Sequence, residues 1–191
     1  MRLQVTIKDQ VIDYELIRLD IKNPRLEFRE HRLHLIVPHD FKGHGELIHR
    51  HRRWIYRRYS RIQELKILSQ GLELIACRSV EDFKELVSSF VSSIAEELGV
   101  APVRTRFRKM KTKWGSCSSK GNLNFNSYMR YLPDEMIEYI VFHEMVHLIE
   151  LNHSPRFWAH VKARFPDYES YEKRLTGYWS LIREQCYCQS L

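Results

Sequence analysis

The chain has 191 residues, enough for one ordinary hydrophobic core or for one catalytic domain with a small appendage, but too few for two full-sized domains. Hydrophobic residues make up 43% and charged residues 29%, with only seven Gly and six Pro, so the composition excludes a disordered or collagen-like chain. The formal net charge of +7 favours a polyanionic partner, a nucleic acid or a phosphorylated substrate, and does not choose between them.

The sequence predicts a cytoplasmic protein with no membrane association. It opens without an apolar segment of signal-peptide length, and no stretch approaches the ~18 uninterrupted apolar residues of a membrane span. Four cysteines are too sparse for the disulfide framework of a small secreted protein. The pair Cys186-x-Cys188 lacks a second half of a metal site, so we interpret it as two free thiols. Nothing in the sequence specifies an oligomeric state.

The first third of the chain predicts strands followed by a helix. Residues 11–38 alternate between apolar and polar types, with turn residues between three runs, which is typical of a three-stranded antiparallel meander. A helical pattern from Leu47 to Leu65 predicts a helix covering one side of that sheet. We expect an antiparallel β-meander plus helix in residues 1–70, packed as one compact unit with a catalytic domain in residues 71–191.

The rest of the chain mixes helices and two strands, which makes the fold class α+β. Apolar residues at a 3.6 period predict a helix from Val80 to a stop at Gly99. Residues 103–108 and 122–126 alternate as strands, and we expect them to form a hairpin. From Pro133 onward the pattern is helical, with breaks near Asn152 and Pro166.

The segment His143-Glu144-Met145-Val146-His147 predicts a metal site. Residues four apart on a helix lie about 40° apart around its axis, so both imidazoles can grip one ion from the same side. Glu144 is one step round from His143, close enough to reach a water at the ion without being a ligand. A hydrolytic zinc site needs three protein ligands and one position left open for water.

His153 is the predicted third ligand. An unbroken helix would turn it about 240° from His147, onto the wrong face, so the chain must first leave the helix. Asn152 is acceptable as a left-handed C-terminal residue, and Ser154-Pro155 predicts the N-cap and first turn of another helix. This leaves His153 in a corner from which it can reach back to the other two.

Other residues could compete for that role or bind elsewhere. Glu150 and Glu169 are rival third ligands, although we interpret Glu150 as exposed or as a carboxylate that contacts a ligand. The remaining N-terminal histidines are irregularly spaced among arginines, which favours a solvated surface. They are His31, His34, His39, His44, His49 and His51.

Three linked motifs resemble the YgjP-type metal-dependent hydrolases, relatives of the SprT-like and minigluzincin metallopeptidases. They are Trp114-Gly115-Ser116-Cys117-Ser118, the His143–His147 motif, and Asn152-His153-Ser154-Pro155-Arg156-Phe157-Trp158. The resemblance implies a zincin-like catalytic core in which His143, His147 and His153 bind zinc and Glu144 is catalytic. One departure is Ser127-Tyr128, where bacterial members are expected to have Trp-Arg. Glu150 also stands where the longer metzincin motif has glycine, which argues against that family.

The most favoured function is a metallopeptidase in which Glu144 takes a proton from the attacking water and returns it to the leaving group. Zn²⁺ is the expected cofactor, and nickel or another divalent transition metal suits the same ligands. A peptide would pair with an edge strand, for which we nominate residues 122–126, with Trp114, Asn124 and Asn126 as substrate-binding candidates. Tyr128, Tyr131 and Tyr139 are candidate oxyanion donors.

Two other functions remain open. The resemblance to the bacterial branch suggests a nucleoside triphosphate (UTP-type) pyrophosphatase, and a run of cations before Trp114 could bind phosphates. It comprises Arg104, Arg106, Arg108, Lys109, Lys111 and Lys113. The run His49-Arg50-His51-Arg52-Arg53, with Arg57-Arg58, would instead suit a nucleic-acid-binding protein with a structural zinc, or basic patches guiding an enzyme to nucleic acid.

Overall fold

The computed structural model describes residues 1–29, 31–76 and 78–187, so the predicted Cys186-x-Cys188 pair lies outside the part whose side chains are described. The chain divides into two compact units, Met1–Ile67 and Leu68–Leu191. Their described residues contain five α-helices and two small mixed sheets, which confirms the α+β class. In the described residues, no helix is both long enough and apolar enough to span a membrane.

The N-terminal unit contains four strands, not the predicted three-stranded antiparallel meander. They are β1 (Arg2–Ile7), β2 (Gln10–Arg18), β3 (Arg25–Arg29) and β4 (Arg32–Val37). Their order is β1-β2-β4-β3, and β2 pairs with β4 in parallel. Since β4 is the most apolar of the strands, with Leu33, Leu35 and Val37 fully buried, it takes a central position and leaves β3 at the edge.

The predicted covering helix is α1 (His44–Ser69). Its Ile48 and Ile55 share one core cluster with inward residues of the sheet, among them Ile12 and Leu33. Side chains at this seven-residue spacing lie on the same face of a helix, so α1 buries one apolar stripe and leaves its basic residues exposed.

The C-terminal unit begins with α2 (Val80–Leu98), whose ends agree with the prediction. The Ser79 side chain accepts a hydrogen bond from the Asp82 N–H, and Gly99 closes the helix with a φ of 65°. The later elements are β5 (Arg104–Arg108), β6 (Gly115–Cys117), β7 (Asn122–Asn126), a 3-10 turn (Ser127–Tyr131), α3 (Asp134–Val146), α4 (Pro155–Arg164) and α5 (Tyr168–Tyr187).

The second sheet corrects two predictions. Its order is β5-β7-β6, with β5 parallel to β7, so the hairpin joins β6 to β7 and not β5 to β7. Because Leu123 and Phe125 are fully buried, β7 is the central strand. Residues 122–126 are therefore not the free edge that the sequence indicated, and β6 is an edge beside α3.

Candidate metal centre and active site

The helix α3 places the first two histidines. It is almost wholly buried, with Met136, Ile137 and Val141 in the main core, and it ends at Val146 with His147 as its C-cap in right-handed geometry. The following turn tightens, since the Leu148 N–H donates to the Met145 carbonyl at 2.9 Å. The helix thus ends six residues before Asn152, and no left-handed residue is needed there.

His153 lies in the corner between α3 and α4. As predicted, Ser154 is the N-cap of α4, accepting a hydrogen bond from the Phe157 N–H, and Pro155 occupies the first turn. Among described non-glycine residues only Lys8 and His31 have positive φ, so Asn152 is not left-handed. The short loop alone turns the chain back toward α3.

The three predicted ligands meet at one point. His143, His147 and His153 each offer a ring nitrogen, and these atoms all lie within 4.8 Å of one another. The Nε2 atoms of His143 and His153 are 2.9 Å apart. The group contains neither Glu150, whose carboxylate accepts from Ser154 Oγ at 3.5 Å, nor Glu169, which is exposed.

The other nitrogens of the two helix histidines face protein oxygens. His147 Nδ1 lies 2.9 Å from the Glu150 backbone carbonyl, which leaves Nε2 for a cation. His143 Nδ1 is buried and lies 3.9 Å from the Glu172 carboxylate, which accepts the Tyr139 hydroxyl at 2.6 Å. No sequence pattern links Glu172 to His143, because only the packing of α5 on α3 brings them together.

This arrangement fits a divalent transition metal. Zinc takes imidazole nitrogens at about 2.0–2.1 Å, so three nitrogens grouped this closely can share one ion. Burial, and then the charges of His147 and His153, lower the pKa of His143 to about 3. Burial also lowers the pKa of His147. The rings of His143 and His147 are therefore neutral near pH 7, the state in which imidazole binds a metal.

The side chain of Glu144 extends from α3 toward β6, and the residue is only 7% exposed. Burial raises the pKa of its carboxyl to about 7, opposed by the charge of Lys113 and by a hydrogen bond from the Cys117 N–H. A bound cation would act in the same direction as Lys113 and favour the carboxylate. The packing of β6 on α3 therefore encloses one poorly hydrated carboxyl group, on the residue that follows the first histidine of the group.

Gly115 makes room for this carboxyl group. A Cβ at position 115 would stand 2.5 Å from Glu144 Cγ and 2.6 Å from its Oε1, closer than real Cβ contacts.

We expect Gly115→Ala to displace Glu144 and lower kcat by about a hundredfold, since a small misplacement of a reacting group can cost that much. Steady-state kinetics measures kcat, and analysis of bound metal in the same preparation shows whether the metal content has changed.

The matched control for that prediction is Gly45→Ala, because nothing lies within 4 Å of a Cβ at position 45. Gly45→Ala should leave kcat unchanged. Unaltered kcat in Gly115→Ala would contradict the packing argument. The sequence marked Gly115 as part of the Trp114–Ser118 motif. The close approach of Glu144 explains why a glycine is needed at this position.

The predicted substrate-binding residues have different positions. Trp114 is half-buried and packs edge-on against Trp179, with ring centroids 4.6 Å apart. Asn124 is half-buried and its amide donates to Ser116 Oγ at 3.3 Å. Asn126 is fully buried, so its assignment to substrate binding is wrong. The candidate oxyanion donor Tyr139 is also buried, with its hydroxyl bonded to Glu172.

Asn126 has a structural role that explains its burial. Its amide donates to the carbonyls of Met110 and Lys113 at 2.9 and 2.7 Å, and its oxygen accepts from the N–H groups of Met110 and Tyr128.

We expect Asn126→Ala to lower the free energy of unfolding by about 3 kcal/mol, since several buried backbone groups lose their partner. Asn124→Ala, which loses the hydrogen bond to Ser116, should cost less than about 1 kcal/mol by denaturant titration. Equal losses would contradict this difference.

Fold and site together define an α+β domain with a three-histidine group able to bind a metal. The chain belongs to the YgjP-like family, whose metallopeptidase domain matches residues 76–178. It is also similar to the crystal structure of the metallopeptidase zymogen of Pyrococcus abyssi abylysin, with a TM-score of 0.43, 23% identity and coverage of 52% of this chain and 94% of that one.

A second similar structure is that of the metallopeptidase zymogen of Methanocaldococcus jannaschii jannalysin. Its TM-score is 0.41 at 23% identity, and the match covers 58% of this chain and 96% of the other. A comparison with curated proteins finds no match.

Proposed function

We propose that the protein is a zinc-dependent metallopeptidase in which His143, His147 and His153 hold the ion and Glu144 is the general base. The single observation that carries this proposal is the convergence of the three imidazoles on one point, with a buried glutamate as the residue that follows His143 on α3. When bound, zinc supplies Lewis-acid polarisation of the scissile carbonyl and lowers the pKa of an attacking water.

Glu144 performs the proton transfers. Its carboxylate takes a proton from the attacking water and then donates it to the leaving amine, which cannot depart as an anion at neutral pH. Burial raises the pKa of this carboxyl to about 7 before any cation is bound, which makes it a stronger base than an exposed glutamate, while a bound cation favours the carboxylate that accepts the proton. The Cys117 N–H and the packing of Gly115 hold the carboxyl group in place.

We propose that β6, rather than residues 122–126, pairs with the substrate. The Trp114 carbonyl and the Ser118 N–H bond to β7, so the backbone groups of Gly115 and Cys117 face the opposite edge. There the Cys117 N–H donates to Glu144, so a substrate would pair with the Gly115 groups and the Cys117 carbonyl. An extended peptide added along this edge would bring its carbonyl groups toward the histidine cluster.

Nucleotide pyrophosphatase is the alternative, and Lys113 is the observation that favours it. Its charge acts on Glu144, so it could meet a phosphate near the same centre. Arg104, Arg106 and Arg108 are exposed, but they lie on β5, which is separated from β6 by β7. Since these arginines lie two strands away, the peptidase is better supported.

The deciding experiment compares the wild type with Glu144→Gln on an unfolded protein and on UTP, after bound metal has been measured in both. Cleavage of the protein by the wild type alone supports the peptidase. Release of pyrophosphate by the wild type alone supports the alternative, and activity that is equal in both proteins overturns the role given to Glu144.

A further inference from the structure

The N-terminal unit contains an open groove between β1 and α1. Its volume is about 920 Å³, and residues 5–8 form one wall while one face of α1 forms the other. This is as large as many ligand sites, which typically occupy about 300–1,000 Å³. All the residues that line it belong to the N-terminal unit, so the metal centre does not contribute to it.

Among the residues that the structure describes, the groove is lined by cations and by no carboxylate. Its basic lining residues are Lys8, His49, Arg52, Arg53 and Arg57. Four of these carry a full positive charge at neutral pH, and all five are exposed. The Lys8 ammonium lies over the ring of Tyr56, 4.4 Å from its centroid, and Arg52 contacts His49 at 3.2 Å.

Two arginines of α1 outside the groove, Arg50 and Arg61, have carboxylate partners within the protein. Arg50 pairs with Glu46 at 3.3 Å, and Arg61 pairs with Glu64 at 2.7 Å. In the described residues, no such pair involves Arg53 or Arg57. Asp9 adjoins the groove and accepts the Tyr56 hydroxyl at 3.1 Å, but it is not among the lining residues. The positive charge of the groove is therefore available to an external anion.

The spacing of these side chains suits a repeating anion. His49, Arg53 and Arg57 follow one another at four-residue intervals along α1, a rise of about 6 Å at each step. Guanidinium groups bind phosphates through paired N–H donors, and a row of them can follow a phosphodiester chain. A concave channel suits a narrow single strand better than a duplex, whose grooves usually receive a protruding helix or ribbon.

We propose that this groove binds single-stranded nucleic acid through its phosphate backbone, independently of the histidine centre. The backbone of β1, an edge strand of its sheet, offers additional hydrogen-bonding groups along the same wall. Binding of this kind depends on charge and is insensitive to base sequence.

The test is fluorescence anisotropy of the full-length protein with a labelled oligothymidylate of about 16 nucleotides, titrated at several salt concentrations with and without chelator. The groove variant carries Arg53→Gln and Arg57→Gln. The matched control carries Arg58→Gln and Arg61→Gln, which remove the same charge from the same helix outside the groove. Thermal unfolding establishes that both variants are folded.

The groove variant should lose roughly tenfold in affinity at low salt, and its salt dependence should fall by about 1.4 in log–log slope, about 0.7 for each phosphate contact. The control should stay within about threefold of the wild type, since it loses only long-range attraction. Chelation should change neither result. Equal losses in the two variants, no binding by the wild type, or equal binding of a duplex or of polyglutamate would each overturn the proposal.

Discussion

Glu144→Gln should reduce kcat/KM by about a thousandfold while leaving the bound metal unchanged, because a general base typically contributes 10²–10⁴-fold to a rate. Glutamine retains the shape and one oxygen of the side chain, so it can still accept the Cys117 N–H and fit beside Gly115. It cannot accept the proton of the attacking water. Kinetics of peptide cleavage and elemental analysis of the same preparation measure the two quantities.

Glu150→Gln is the matched control for this experiment. Glu150 is near the cluster, but it contacts His147 through its backbone carbonyl, which the substitution retains. We therefore expect nearly normal activity in Glu150→Gln. The assignment of the base fails if the two glutamine variants are impaired to the same degree, or if Glu144→Gln is as active as the wild type.

His153→Ala should weaken metal binding by at least a hundredfold, because even residues that only support metal ligands typically contribute 10–100-fold to affinity. The side chain is exposed and lies in a loop corner, so the metal-free protein should unfold at nearly the same temperature as the wild type. Metal content after dialysis against a weak chelator, with thermal unfolding of the metal-free proteins, separates lost binding from lost folding.

His160→Ala provides the control for His153→Ala. His160 is an exposed histidine on α4, outside the group of three, and its removal should leave metal content unchanged. One ion per chain retained by His153→Ala under conditions that hold one ion in the wild type would exclude His153 as a ligand. In that case Glu172, which lies 3.9 Å from His143 Nδ1, would be the next residue to substitute.

The elements that the sequence predicted well are those set by local chemistry. The ends of α2 follow from a serine that caps the first turn and a glycine that accepts a positive φ. Likewise, His143 and His147 are brought together by one helical turn, and the Ser154-Pro155 start of α4 leaves His153 in a corner. Each of these features depends on residues close together in the sequence.

Strand order was predicted less well because it depends on pairing between distant segments. Alternation located β2 and β4, but it does not encode that they run parallel or that β4 is central. The same limitation placed β7 at an edge and assigned Asn126 to substrate, although Asn126 fastens the segment before β6 to the sheet. The approach of Glu172 to His143 likewise depends on packing between two helices.

The brevity of β6 bears on which targets such an enzyme can use. A ladder along Gly115–Cys117 spans only three residues, about 10 Å of an extended chain. Such a short ladder supplies little binding affinity. A polypeptide must therefore already be locally unfolded before it can pair with β6. The choice of cleavage site would then depend less on the amino-acid sequence of the target than on whether the target has an accessible unfolded segment.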